Sequence, residues 1–182
     1  MIDADVFHNQ PTLTGERVRL EPLTPAVLID YLATVDDREV QRLTGSHERH
    51  DPDRIAQWLA TRRDHHDRAD WAAIRITDGV FLGEAVINQL DAHNASANYR
   101  ILLGGPHLNQ GYGTEITRLV VDYALGTGLH RLSLSVYDFN PRARRVYEKC
   151  GFVLEGRLRD ALYWEGEWHD ELVMGLLADD SR

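Results

Sequence analysis

"HLNQGYGTEITRLVVDYA", His107 to Ala124, sets two glycines, Gly111 and Gly113, at the mouth of an amphipathic run. Glycines there let backbone N–H groups come close to a partner. A helix N-terminus with bare N–H groups and a positive dipole end is an anion site. Three nucleotide motifs fail on this stretch. A dinucleotide G-x-G-x-x-G needs a third glycine where Ile116 stands, and a P-loop needs a lysine after the glycine that precedes Thr114. A kinase glycine loop needs a lysine on a following strand, whereas the residues after Gly113 have helical spacing.

Outward from this turn, the chain reads as one α/β domain. "RVRLEPL" (17–23) is a strand, followed by two helices: "TPAVLIDYLATV" (24–35), with Thr24 as cap and Pro25 at the first position, and "DPDRIAQWLATRRDHHD" (51–67), with Asp51 and Pro52 in those roles. "WAAIRIT" and "VFLGEAVINQL" are strands joined by the hairpin signal Asp78-Gly79, and "ASANYRILLG" is the next. After the glycine turn and its helix come a strand at 130–137, a helix at 140–151 capped by Asn140 and stopped by Gly151, and two strands about a turn near Glu165-Gly166. The expectation is an α/β (α+β) domain: a mixed, largely antiparallel sheet of about seven strands with about four flanking helices, over residues 14–178, behind a loose leader at 1–13.

Composition narrows the functional classes. With 182 residues, 43% hydrophobic and 27% charged, the chain is long enough for one sizeable core and has an ordinary globular makeup. No run of about 18 apolar residues exists, so no membrane span is expected. The acidic N-terminus lacks a signal peptide's basic and apolar regions, and Cys150 is the only cysteine; both point to the cytoplasm. Cys150, beside Gly151, reads as a small buried hydrophobe. A net charge of −9 first of all makes a solubilising surface, and only secondarily argues against nucleic acid and for a cationic substrate. Histidines are scattered; "HERH" lacks the spacing of H-E-x-x-H and "DHHD" places neighbours on diverging helix faces, so no metal is expected.

The glycine turn, Asn140-Pro141, Ala143, Tyr147, Gly151-Phe152 and the closing "EGRLRDALYWEGEWHDELVMGLL" occur together at a specific spacing. In this combination the chain resembles the GNAT-superfamily N-acetyltransferases, in the branch of Rim-type (ribosomal-protein N-terminal) and spermidine acetyltransferases, over roughly Thr14 to Leu177. The resemblance implies acetyl-CoA as co-substrate, a homodimer, and transfer of an acetyl group to a primary amine in a ternary complex. It makes Leu108, Asn109, Gln110, Gly111, Tyr112, Gly113 and Thr114 a pyrophosphate loop and gives the strand Tyr99–Leu103, with Leu102 and Leu103, to the pantetheine arm. Asn140 is to hydrogen-bond that arm and Tyr147 to serve as general acid. Arg142, Arg144 and above all Arg145 stand where the 3′-phosphate of coenzyme A would be met, or on a solvated face. Leu108 departs from the family, which has Gln or Arg there; a weaker site is the expected effect.

The base is less determined. Several relatives place a glutamate where this chain has Asn98, which takes no proton. Glu84 on the neighbouring strand is the replacement, with water-mediated deprotonation and a plain exposed strand carboxylate as the alternatives. Without a base, an α-amine (pKa about 7.7–8.0) is favoured over a lysine or polyamine amine (about 10.4). Asp36, Asp37, Glu39 and Glu48, with Glu165, Glu167, Asp170 and Glu171, make the acceptor segments acidic, which points to a peptide N-terminus, a polyamine or another cationic amine. A succinyl donor, a non-catalytic acyl-CoA sensor and a binding domain for another nucleotide are the rival readings.

Overall fold

The computed structural model describes residues 2–8 and 10–180; Met1 and Asn9 of the expected leader lie outside them. An eight-stranded sheet runs in the order β1-β2-β3-β4-β5-β6-β8-β7, and only the β5–β6 pair is parallel. The strands are β1 (Leu13–Thr14), β2 (Val18–Pro22), β3 (Ala69–Arg75), β4 (Phe81–Asp91), β5 (Ser96–Leu103), β6 (Arg131–Tyr137), β7 (Val153–Trp164) and β8 (Glu167–Leu177). Five helices accompany them: α1 (Leu28–Val35), α2 (Arg38–Thr44), α3 (Pro52–Ala60), α4 (Tyr112–Gly126) and α5 (Pro141–Lys149). The class is as expected, with one strand and one helix more. The extra strand is the two-residue β1, too short to show a period. The extra helix is α2, whose Asp37 caps the Val40 N–H at 3.0 Å and whose Gly45 ends it at φ +66°.

Alternation along the strands builds two apolar layers. Trp71 and Ala73 of β3 face one way, with Leu82, Tyr99, Leu132 and Leu134, onto Ile116, Val120 and Ala124 of α4. Ala72 and Ile74 face the other way, with Phe81, onto Tyr31 and Val35 of α1 and Leu59 of α3. We refer to these as the α4 face and the α1 face. Described residues of the expected leader pack on the α4 face. Phe7 is 1% exposed against Tyr123, and the Trp71 indole donates to the Pro11 carbonyl at 2.9 Å. Ile2, Val6 and Leu13 pack against the same core, and the Gln10 amide donates to the Asp70 carbonyl.

Candidate active site

β5 and β6 pair through only three residues, Ser96↔Arg131, Ala97↔Leu132 and Asn98↔Ser133. Beyond Asn98 each strand keeps its outer partner, β4 and β8, but the two part from one another. β4 is irregular between Asn88 and Asp91, with Gln89 at φ +54°, opposite the start of this divergence. Such a bulge bends a strand and its neighbour. The gap opens into a cleft of about 460 Å³ that reaches both faces of the sheet.

At one end stands the N-terminus of α4. α2, α3 and α5 have side-chain caps, from Asp37, Asp51 and Asn140, and α1 runs on from a 3-10 turn; α4 has neither, and its N-cap is Gly111, at φ +84°. The first helical bond runs from Glu115 N–H to the Gly111 carbonyl. Asn109, at φ +61°, and Gly111 put two left-handed residues in this turn, beside the cleft that both line. Gly113 is informative. A Cβ there would meet nothing nearer than the Leu103 side chain at 3.5 Å, so protein packing does not demand a glycine. The missing side chain leaves the backbone open to close approach from the cleft that Gly113 lines.

Leu102, Leu103, Leu108, Asn109, Gly111, Tyr112, Gly113 and Thr114 all line the cleft, as do Asn140, Arg145, Tyr147 and Glu84. Gln110 is turned away: its amide donates to the Pro106 carbonyl at 2.8 Å, and its own carbonyl accepts from Arg17. Asn140 caps α5 through its side-chain oxygen, which accepts from Ala143 N–H at 3.1 Å. Of the three arginines, Arg142 and Arg145 both line the cleft, Arg142 with its guanidinium paired to Glu39, while Arg144 pairs with Glu148.

Tyr147 is 7% exposed on the α4 face, edge-on to Phe152. Burial raises its phenol pKa well above the ordinary value, so the group stays protonated. Glu84 sits in register with Ala72 and Leu102, hence on the α1 face. It is 4% exposed, which excludes the plain exposed carboxylate. Burial raises its pKa, partly offset by the Arg100 guanidinium and by the Tyr31 phenol. One of its oxygens has no hydrogen-bond partner.

Of the eight carboxylates in the acidic acceptor segments, three are paired with arginines. His50 meets Asp36, Asp37 caps α2, and Arg142, Arg38 and Arg157 meet Glu39, Glu165 and Asp170. These pairs tie α2 to α5 and to the β7–β8 turn, so that Val40, Leu43 and Thr44 roof the cleft. Glu171, bonded to the Ser135 hydroxyl, is the second carboxylate lining it. Among the described residues no group of three or more His, Cys, Asp or Glu side chains is placed to hold a metal. None of the described helices is long and apolar enough to cross a membrane.

A slot between parallel strands, an uncapped helix end and a buried tyrosine together define a coenzyme A-dependent acyltransferase. Residues 17–153 match the acetyltransferase (GNAT) domain family, and the chain belongs to it. It is 22% identical to an SPbeta prophage-derived uncharacterized N-acetyltransferase of Bacillus subtilis over 92% of this chain and 93% of the relative. It is 29% identical to the spermidine N(1)-acetyltransferase of Vibrio cholerae over 53% of this chain and 56% of that enzyme. Among solved structures, a Vibrio cholerae spermidine N-acetyltransferase in complex with CoA and spermine superposes with a TM-score of 0.84 at 20% identity. That match covers 91% of this chain and 98% of the other.

Proposed function

We propose that the protein moves an acetyl group from acetyl-CoA to a primary amine of a cationic acceptor, by direct attack within a ternary complex. The observation that carries this reading is the slot itself, with the uncapped α4 and Tyr147 on one face of the sheet and Glu84 on the other. The amides of residues 109–114 bind the pyrophosphate, and the β5 backbone left unpaired by β6 binds the pantetheine arm, assisted by Asn140. Arg145 takes the 3′-phosphate. The amine enters under α2, loses a proton to Glu84 and attacks the thioester carbonyl. The carbon–sulfur bond then breaks, and Tyr147 presents its hydroxyl hydrogen to the departing thiolate.

A buried carboxyl with a raised pKa is suited to this task, because its proton affinity is closer to that of an amine than a solvated glutamate's is. Glu84 and Glu171 also supply negative charge on the acceptor side, which favours a polyamine or a peptide N-terminus. Spermidine acetyltransferases among the relatives support the polyamine.

The test begins with thermal-shift titration against acetyl-CoA, succinyl-CoA and NADH. At a hundred times its Kd a ligand adds about 2.7 kcal/mol of apparent stability. Stabilisation by acetyl-CoA and not by NADH, followed by turnover with spermidine or a peptide N-terminus, is expected. Absence of stabilisation by every thioester defeats the reading, and binding without turnover on any amine would make the protein a sensor.

A further inference from the structure

Arg17 lies in the turn before β2, 98 residues from Glu115 in sequence, yet it meets the first turn of α4. Glu115 Oε1 accepts from the backbone N–H of Arg17 at 2.7 Å and of Val18 at 3.0 Å, and its Oε2 accepts from Arg17 Nε at 3.2 Å. Arg17 Nη1 donates to the Gln110 carbonyl at 3.0 Å. The guanidinium lies over the Tyr112 ring, 4.8 Å from its centroid. Its Nη2 is 3.0 Å from where a Cβ on Gly111 would lie. Gly15 makes room for the carboxylate, since a Cβ there would come within 2.5 Å of Glu115 Oε1.

We propose that Arg17 is a positioning residue of the donor site, with two tasks; the proposal rests on reading the α4 N-terminus as the pyrophosphate site. The first task is to hold the Gln110 carbonyl outward, so that the left-handed residues Asn109 and Gly111 on either side keep their places beside the cleft. The second is electrostatic. A glutamate in a first helical turn usually complements the dipole. Here it would compete with an anionic ligand for the same positive end, and the guanidinium cancels it. Two backbone N–H groups anchor Glu115 whatever side chain stands at 17. Removing the guanidinium therefore leaves the carboxylate in place with its charge uncompensated.

Calorimetric titration of CoA into the wild type, Arg17→Met, Glu115→Gln and the double variant tests this, with melting temperatures recorded for each. Arg17→Met is expected to raise the CoA Kd about ten-fold, and adding Glu115→Gln to recover part of that loss. A merely structural role predicts no recovery, because the second substitution removes further bonds. Unchanged affinity in Arg17→Met, or a double variant no tighter than the single, overturns the inference. Failure of the wild type to bind CoA removes instead the reading beneath it. If Arg17→Met does not fold, Arg17→Lys serves. It keeps the charge and gives up the fork, and is expected to raise Kd about three-fold; an unchanged Kd overturns the loop-holding task.

Discussion

The carbonyl oxygen of Leu102 occupies the space that a Cβ on Gly83 would need. Gly83 is in register with Leu103 across β4 and β5, and Leu102 with the next residue, Glu84, at the cleft wall; Gly83 has φ +150°. Neither the contact nor the dihedral suits an L side chain. Gly83→Ala is therefore expected to cost about 2–4 kcal/mol, seen as a fall of about 5–15 °C in Tm. A variant melting with the wild type would mean that β4 and β5 can separate there without loss.

Gly113→Ala should behave in the opposite way. Alanine is a better helix former by about 0.8–1.0 kcal/mol, and its Cβ meets only ordinary contacts. Stability is expected to hold or rise, while the KM for acetyl-CoA rises about ten-fold or more. Melting curves and donor kinetics on one preparation decide it.

Tyr147→Phe keeps the ring against Phe152 and removes the hydroxyl alone. The fold and the CoA Kd should be unchanged, and kcat should drop about a hundred-fold. Equal kcat would take the proton donor away from this residue.

Glu84 links activity to pH and stability. Its carboxyl pKa is raised in the folded protein by burial. The folded state therefore favours the protonated form, and stability falls as pH rises from the ordinary glutamate pKa through the folded one. Glu84→Gln removes that penalty. It should raise Tm at pH 8, with the gain fading as pH falls toward about 4.3, the unfolded glutamate value. The same variant should lose kcat and the basic rise of kcat/KM that deprotonation of Glu84 produces. A stabilising effect equal at both pH values would contradict the assignment.

Arg145 is separated from its neighbours by the choice of donor. Comparing CoA with its 3′-dephospho form, the wild type is expected to prefer CoA, and Arg145→Ala to bind both alike. Arg142→Ala should keep the preference, since that guanidinium is engaged by Glu39. A preference surviving in Arg145→Ala would move the phosphate contact elsewhere.

Local grammar made much of this legible. Asn140 before Pro141 is a cap wherever it occurs, and Gly111 and Gly113 before an apolar period announce an open helix end. Contacts that join distant segments carried no local sign. Nothing near Arg17 announces Glu115, and nothing near Phe7 announces Tyr123. The acidic segments were legible only as a count: which carboxylates arginines meet, as Arg142 meets Glu39, has no local sign. α2 had both its signals, Asp37 and Gly45, but only seven residues and a charged composition, too short for a clear period.

The parting of β5 from β6 leaves the sheet one strand short in the middle. Ordinary edges are guarded from outside by charge, twist or brevity; this one is internal, walled on either side by its own molecule. The donor site proposed above lays the linear amide chain of pantetheine along it, with a consequence in time. Amides of residues 100–103 directed toward the gap will exchange with solvent quickly in the free protein, and slowly once the missing strand is supplied.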